Sequence, residues 1–172
     1  MNRLFVTAAA LAGLLVAGSS GAGRAADPVL PTVDDFELTD HTRLAHRLYY
    51  FGYAPAIVLM SVTPSSAHSK ADAAELQKLA DAYAEKGVLF YMLDSNLGDS
   101  RDAVAAEAAK QGLKIPILMD ERQLVGEQLG VEREGEVFVL NPKTWQVAYR
   151  GPVESAGVAI DAVLAGRPAP VA

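Results

Sequence analysis

A short polar segment, Ser66-Ala67-His68-Ser69, has the residue types and spacing that come closest to nucleophilic chemistry in this chain. A serine becomes a nucleophile when a histidine within hydrogen-bond reach accepts its proton and a third group orients that histidine. His68 could accept the proton of either serine, and Asp72, one helical turn further on, could orient His68. Serine is also the ordinary residue at a helix N-cap, where its hydroxyl accepts a backbone N–H. We therefore favour capping by Ser66 or Ser69 over hydrolysis.

The segment lies between two elements that the pattern predicts clearly. Residues 56–62 form a nearly continuous apolar run rich in branched side chains, which is typical of a strand buried on both faces in a central parallel position. From residue 69 to 86, apolar residues recur at spacings of three and four with charged residues between them, and Gly87 follows. This spacing predicts a long amphipathic helix that ends at the glycine. The polar segment then belongs to the loop and first turn that join strand to helix.

The remainder of the chain alternates between strand and helix patterns and contains no internal repeat. Strands that alternate with helices predict an α/β fold with a central mixed β-sheet flanked by helices. A polar turn between two short apolar stretches near the N-terminus predicts an additional β-hairpin. The predicted strands are 36–38 and 44–50 in this hairpin, then 56–62, 88–93, 115–119, 137–140 and 145–149, and the predicted helices are 69–86, 99–111, 121–129 and 154–164.

The first 26 residues have the composition of a secretory signal peptide. Arg3 precedes an apolar run and a stretch of small residues, which is the order that such signals show. The apolar run, residues 4–16, is shorter than the roughly 20 residues that span a bilayer. We expect a signal peptide over residues 1–26, in which both Ser20-Gly21-Ala22 and Gly23-Arg24-Ala25 offer a cleavage point. We expect no stable membrane anchor after cleavage, and a single domain over residues 27–172 in the periplasm or outside the cell.

Composition excludes several classes of function. The formal net charge is −6, and it becomes −8 without residues 1–26 because that segment holds two arginines and no acid. A chain this acidic is poorly suited to nucleic acid. It contains no cysteine, so it forms no disulfide and attaches no haem through thiols. No cofactor is expected, and peroxidase chemistry through a cysteine sulfenic acid is excluded.

Five stretches in order along the chain, from residue 36 to residue 142, resemble the redoxin branch of the thioredoxin-like superfamily, which includes peroxiredoxins and periplasmic thioredoxin-like proteins. The resemblance extends over about residues 33–164 and implies a thioredoxin-like fold. The stretches are Phe36-Glu37-Leu38-Thr39-Asp40, Ala56-Ile57-Val58-Leu59-Met60, Ser66-Ala67-His68-Ser69-Lys70, Gly87-Val88-Leu89-Phe90 and Val137-Phe138-Val139-Leu140-Asn141-Pro142.

In that family a redox dithiol stands after the central strand, and the resemblance implies that its two positions are held here by Ser66 and Ser69. His68 then takes the place of the histidine that stabilises the thiolate in some relatives. The family also has a cis-proline that faces the dithiol and binds extended substrate peptide, and Gly135 takes that place. Both the sulfur chemistry and the peptide-binding loop are therefore altered, which predicts that the redox activity has been lost.

The resemblance leads us to expect a non-catalytic binding or accessory protein with a protein partner, and it points to a redox or respiratory enzyme system. Two alternatives stay open. One is a non-thiol enzyme that uses Ser66, His68 and Ser69. The other is a copper metallochaperone with His68 and Met60 as ligands, although Met60, Met92 and Met119 lie in apolar runs where methionine usually fills the core.

Three further clusters have ordinary interpretations. The aromatic residues 49–53 are expected to pack in the core, and to form a binding surface only if two or more rings are exposed. Residues 132–136 are predicted to be a solvated cluster of charges, and His41 and His46 to be solvated in the hairpin. Among the acidic residues after the second central strand, Asp99 and Asp102 are expected to cap and charge the next helix.

Overall fold

The computed structural model describes residues 31–170, so the predicted signal peptide lies outside the described part of the chain. The elements are β1 Glu37–Thr39, β2 Ala45–Arg47, β3 Ile57–Ser61, α1 Ala67–Tyr83, β4 Leu89–Asp94, α2 Arg101–Gln111, β5 Ile117–Met119, α3 Leu124–Leu129, β6 Val137–Asn141, β7 Gln146–Gly151 and α4 Val153–Leu164. A five-stranded mixed sheet with the order β5-β4-β3-β6-β7 forms the centre, and a separate two-stranded antiparallel sheet, β1-β2, precedes it.

Strand β3 occupies the middle of the sheet, as its apolar sequence predicts. All five of its residues are buried. It pairs in parallel with β4 and antiparallel with β6, so both edges are hydrogen-bonded and neither face meets solvent. The predicted mixed sheet with an N-terminal hairpin is confirmed. The polar segment, residues 66–69, follows the C-terminal end of β3 at the start of α1.

Local signals in the sequence set the ends of the two long helices. Ser66 caps α1, and a short 3-10 turn, Ala84–Lys86, extends it to Gly87, which has φ +72°. Ser100 caps α2, and not the predicted Asp99; its hydroxyl accepts from the backbone N–H of Ala103 at 3.3 Å. A serine oxygen at this position satisfies one of the N–H groups that the first turn leaves free.

The sheet separates two apolar cores. One contains Met60 and Met92 and is covered by α1, α2 and α4, whereas the other contains Leu59 and Phe138 and is covered by α3 and the segment around β1 and β2. The alternation of side chains along β3 and β4 assigns successive residues to opposite cores. All three strand methionines are buried, at 5% exposure or less, as their position in apolar runs predicts.

The N-terminal hairpin is shorter than predicted, because β2 ends at Arg47 and the chain continues as a 3-10 turn, Leu48–Phe51. Within it Asp40 is buried, and its carboxylate accepts from the ring of His46 at 2.8 Å. Burial raises the pKa of Asp40, but hydrogen bonds from His46, Thr42 and Leu44 outweigh that effect and hold the pKa below its usual value. The prediction of a solvated His46 is wrong, since its side chain is 15% exposed and packs against Tyr91.

No helix within residues 31–170 is both long enough and apolar enough to cross a bilayer.

Candidate functional site

Ser66 is the N-cap of α1, as the sequence predicts. Its backbone is extended, with φ −74° and ψ 141°, and its Oγ accepts from the N–H of His68 at 3.2 Å. Ser69 lies one turn further on and points inward, with 2% exposure. The Oγ of Ser69 accepts from the N–H of Thr63 at 2.9 Å, which folds the loop after β3 back onto the helix. Both hydroxyl oxygens are thus engaged as acceptors by backbone N–H groups.

The hydrogens of both hydroxyl groups point to one carboxylate, that of Glu134. Ser66 donates to Oε1 at 2.7 Å and Ser69 donates to Oε2 at 3.2 Å. We call this arrangement the Ser–Glu–Ser clamp. The hydroxyl of Ser66 is the main cause of a pKa of Glu134 below its ordinary value, and hydrogen bonds from Thr63 and Ser69 and the proximity of His68 add to it against partial burial. The clamp therefore holds an ionised carboxylate beside the N-terminus of α1, where negative charge is stabilised.

The prediction that residues 132–136 form a solvated charge cluster is wrong for two of them. Glu134 is engaged by the clamp. Glu136 is 4% exposed and accepts from Arg150 through both carboxylate oxygens, at 2.8 and 3.1 Å. The sequence alone gives no indication of these partners, because each lies far along the chain or on another strand.

Ser61, the last residue of β3, fixes the loop that carries Glu134. Its hydroxyl donates to the carbonyl of Arg133 at 2.7 Å and accepts from the N–H of Glu136 at 3.1 Å. Its backbone carbonyl accepts from the N–H of Gly135 at 2.8 Å, and its N–H donates to the carbonyl of Glu136 at 3.0 Å. These hydrogen bonds hold the loop that carries Glu134 against the end of the central strand.

Gly135 has φ +77°, in the left-handed region that favours glycine. A Cβ atom built on it would overlap with the carboxylate of Asp72 on α1. Burial, followed by the charges of Glu154 and Glu134, raises the pKa of Asp72, while His68 acts in the opposite direction. The position that the resemblance assigns to a proline is thus shaped for a residue without a side chain.

A second buried carboxylate, Asp94 at the end of β4, supports the loop from behind. The Nδ2 of Asn96 donates to Asp94 Oδ1 at 2.7 Å and to the carbonyl of Val62 at 3.1 Å. Asp94 is 1% exposed, and its Oδ2 has no partner within residues 31–170. Desolvation is the main cause of its raised pKa. The acidic stretch after β4 therefore positions the loop from Val62 onward, a role the sequence does not reveal.

The geometry does not assemble a hydrolytic triad from the residues that the sequence suggests. The hydroxyls of Ser66 and Ser69 donate to Glu134, and the ring of His68 makes no hydrogen bond within residues 31–170. A serine nucleophile needs its base within hydrogen-bond reach. An open cavity of about 600 Å³ lies beside the clamp, and its wall includes Thr63 and Glu134 but neither Ser66 nor Ser69.

The two copper candidates lie in different environments. Met60 is fully buried in the core on β3, whereas His68 is exposed in the first turn of α1. Both ligands of one ion must reach it directly, at the 2.0 to 2.3 Å typical of nitrogen and sulfur donors. A thioether sealed in the core and an imidazole in solvent share no surface at which this can happen.

The aromatic cluster is exposed and not packed in the core as expected. Tyr49, Tyr50 and Tyr53 are 39%, 70% and 73% exposed, and we call these three residues the tyrosine surface. Phe51 alone turns inward, against Tyr91. The guanidinium of Arg47 lies 5.2 Å from the centre of the Tyr50 ring. The condition under which the sequence predicts a binding surface is met.

Replacement of Glu134 by glutamine tests the clamp. The carboxamide can accept only through its oxygen, so Glu134→Gln keeps one serine bond and loses the charge at the helix N-terminus. We expect a loss of about 1 kcal/mol in the free energy of unfolding at pH 7, measured by urea denaturation. Glu132→Gln, which changes an exposed carboxylate in the same loop, is the control and should cost less than about 0.5 kcal/mol.

The difference in unfolding free energy between the parent and Glu134→Gln proteins should depend on pH in a definite direction. The pKa of Glu134 is lowered on folding, so its contribution is present in full above the unfolded value of about 4.3 and is lost as the pH falls through the folded value. The stability difference between the parent and Glu134→Gln should therefore shrink below pH about 4.3. A difference that stays constant from pH 7 to pH 3 would contradict an ionised clamp.

Comparison with known proteins gives one family match and several structural matches. Residues 30–156 match the family model described as AhpC/TSA family. No curated protein matches the sequence. Similar solved structures include an uncharacterized conserved protein of Geobacillus kaustophilus, at 27% identity and TM-score 0.72, with 84% of this chain and 86% of that one covered.

Two further structural matches carry functional descriptions. Peroxidoxin BcpB of Mycobacterium tuberculosis is 24% identical with TM-score 0.63, and the match covers 80% of this chain and 94% of that chain. A secreted disulfide oxidoreductase of Mycobacterium tuberculosis homologous to E. coli DsbE is 15% identical with TM-score 0.59, over 74% of this chain and 95% of that one. At these identities the structural matches establish the thioredoxin-like fold that the sequence predicts.

Proposed function

Because this chain belongs to the AhpC/TSA family and contains no cysteine, we propose that it is a redox-inactive binding protein built on the thioredoxin-like fold. The observation that carries the proposal is the Ser–Glu–Ser clamp. The resemblance places Ser66 and Ser69 at the two thiol positions, and both hydroxyls are committed to one carboxylate at 2.7 and 3.2 Å. The former reaction centre has become part of the scaffold.

We place this protein outside the cytoplasm, in the periplasm or secreted. Two observations support the location: the composition of residues 1–26, and the fold shared with a relative described as secreted. A chain without thiols also keeps the same covalent state in an oxidising compartment as in a reducing one.

Assays of thiol chemistry test the first part of the proposal directly. The purified protein should not accelerate the reduction of insulin by dithiothreitol or the consumption of hydrogen peroxide above the rates measured in buffer alone. Both reactions need a thiolate, which serine does not provide at neutral pH. Turnover above the buffer rate would overturn the proposal, and Glu134→Gln protein would show whether such turnover depends on the clamp.

We assign the contact with a protein partner to the tyrosine surface. Tyrosine is enriched among the residues that dominate binding energy, because it buries a large ring and keeps a polar tip. Two of the three rings are more than two-thirds exposed, so they carry little of the stability of the domain. Tyr49 is held by stacking on Trp145 at 4.3 Å and gives this surface a fixed edge.

The double variant Tyr50→Ala/Tyr53→Ala is expected to weaken partner binding at least tenfold with little change in the melting temperature. Truncation of one of the few residues that dominate an interface costs about 2 kcal/mol or more, and tyrosine is enriched among them. The measurement is the dissociation constant, by surface plasmon resonance, of a partner purified from a periplasmic extract. Leu97→Ala removes a side chain that is 75% exposed elsewhere and is the control. Equal affinity of parent and double variant would remove the tyrosine surface from the interface.

A further inference from the structure

A second concave region lies on the hairpin side of the sheet. Strand β1 and the segment after β5 diverge from a shared closed end and leave a cleft of about 570 Å³ between them. At the closed end the backbones of Asp40 and Leu118 form an isolated antiparallel β-bridge, and the N–H of His41 donates to the carbonyl of Ile117 at 2.9 Å. Residues 35–39 form one wall and residues 119–122 form the other. We call this region the β1 cleft.

The wall formed by β1 presents an unused strand edge. Asp40 and Phe36 bond toward β2, through Asp40 N to Leu44 O at 2.8 Å and through Leu48 N to Phe36 O at 2.9 Å. Backbone groups alternate along a strand, so Glu37, between them, turns its N–H and C=O away from β2 and into the cleft. Neither group has a partner within residues 31–170. An edge of this kind is a template for pairing with another strand.

The floor of the cleft contains an unsatisfied acceptor. Helix α3 contributes Leu124, Val125 and Gln128 to the lining. The Oε1 of Gln128 is buried and accepts no hydrogen bond within the described residues. A buried acceptor without a donor carries a desolvation cost, and a donor from a bound molecule would remove that cost. Leu124 beside it is 59% exposed and offers an apolar contact.

From these observations we infer that the β1 cleft binds an extended segment of a partner protein, which adds to β1 as a strand. Backbone groups of the segment would pair with Glu37, and its alternate side chains would face α3. We assign to that face one apolar residue against Leu124 and one side-chain donor to Gln128 Oε1. The side chains of Glu37 and Arg122 make no ion pair within residues 31–170, so a basic and an acidic residue in the segment would match them.

The open end of the cleft leads toward the tyrosine surface. Asp35 lines the cleft, and its carboxylate accepts from Arg47 at 2.6 Å and from the N–H of Tyr49 at 3.0 Å. A segment that leaves the cleft past Asp35 therefore reaches the neighbourhood of Tyr50. The inference rests on the proposed function in taking the occupant to be a protein, but the two surfaces have separate residues and separate tests.

A peptide selection tests the cleft. Random octapeptides displayed on phage are selected on the purified protein, and enriched sequences are synthesised and measured by fluorescence polarisation. Glu37→Pro removes the N–H that faces the cleft and leaves the bonds to β2 in place, whereas Glu37→Ala keeps the N–H. Both variants lose the side-chain charge, so the comparison between them isolates the N–H. We expect the dissociation constant of Glu37→Pro to exceed that of Glu37→Ala about tenfold, the equivalent of one lost hydrogen bond.

A second variant and a second readout keep the test decisive if Glu37→Pro folds poorly. Gln128→Met removes the unsatisfied acceptor and should weaken peptide binding about fivefold without lowering the melting temperature of the free protein. Bound peptide should slow hydrogen exchange at the Glu37 amide. These effects should persist in Tyr50→Ala/Tyr53→Ala, whatever becomes of partner binding there. Failure to enrich any peptide, or equal binding to the parent, Glu37→Pro and Gln128→Met proteins, would overturn the inference.

Discussion

Cysteine at both former thiol positions, in the variant Ser66→Cys/Ser69→Cys, is expected to give a dithiol in which one thiolate attacks a small disulfide and releases one of its thiols. The second cysteine then displaces the other thiol and closes one intramolecular disulfide. The two serine oxygens contact the two oxygens of a single carboxylate, so sulfur atoms in their places lie close to one another. Ser66 also caps a helix of 17 residues, whose N-terminus lowers the pKa of a thiol. Oxidation is measured by a mass loss of two hydrogens, and exchange by the reaction with a chromogenic aromatic disulfide.

Glu134 should restrain the new thiols. A carboxylate beside a thiol disfavours the thiolate, so adding Glu134→Gln to the double-cysteine variant is expected to lower the thiol pKa by about one unit. Near neutral pH this gives up to about tenfold more thiolate, but the nucleophilicity of a thiolate falls with its pKa, so exchange should be up to about threefold faster. Insulin, which also has to bind as a peptide, should remain a poor substrate in both variants, because Gly135 and not a proline faces the site.

The single variants Ser66→Cys and Ser69→Cys are the controls, since neither can form an intramolecular disulfide. They should remain reduced as monomers under conditions in which the double variant oxidises fully. Absence of the disulfide in a correctly folded double variant would contradict the assignment of these serines to the two thiol positions. Efficient insulin reduction by the double variant would contradict the altered role of the loop at Gly135.

The proline that the family carries cannot be reinstated at Gly135 without a large loss of stability. Proline fixes φ near −65°, whereas Gly135 has φ +77° and its N–H donates to Ser61. Its side chain would also meet the Asp72 carboxylate. We expect Gly135→Pro to lower the free energy of unfolding by about 3 kcal/mol or more, a large part of the 5 to 15 kcal/mol typical of a domain.

Urea denaturation of three variants separates the causes. Gly135→Ala keeps the N–H and should cost about 1 to 2 kcal/mol from the left-handed backbone alone, with a further cost from the overlap with Asp72. Gly135→Ala/Asp72→Ala removes the overlap and should recover that further part only. Unchanged stability of Gly135→Pro would show that this loop adopts another backbone conformation than the one described.

The elements of the fold follow closely from the sequence because each depends on local pattern. The apolar run of β3, the serine that caps α1 and the glycine that ends its 3-10 extension act within a few residues, and all three are confirmed. Several element boundaries differ by one to three residues, as helix ends and short edge strands do when a cap or a neighbouring strand decides them.

The contacts made by the site residues could be predicted from the sequence only in part. Ser66 as a cap is a local feature, but its second partner, Glu134, is 68 residues away and is brought to it by the pairing of β3 with β6. The tyrosines that follow β2 are predicted to lie in the core because aromatic rings usually do. The short 3-10 turn that carries Tyr49 and Tyr50 has no distinctive composition, so the sequence does not reveal their exposure. The local sequence pattern shows neither which distant residues will meet nor that aromatic side chains will be exposed where burial is usual.

Trp145 is the only tryptophan of the chain, and it stacks on Tyr49 with ring centroids 4.3 Å apart and planes tilted by 17°. Its emission therefore arises beside the tyrosine surface and nowhere else. A molecule that covers Tyr49 changes the environment of this indole, because the two rings are stacked. The protein thus contains a native optical probe, by which occupancy of the tyrosine surface can be followed without a label.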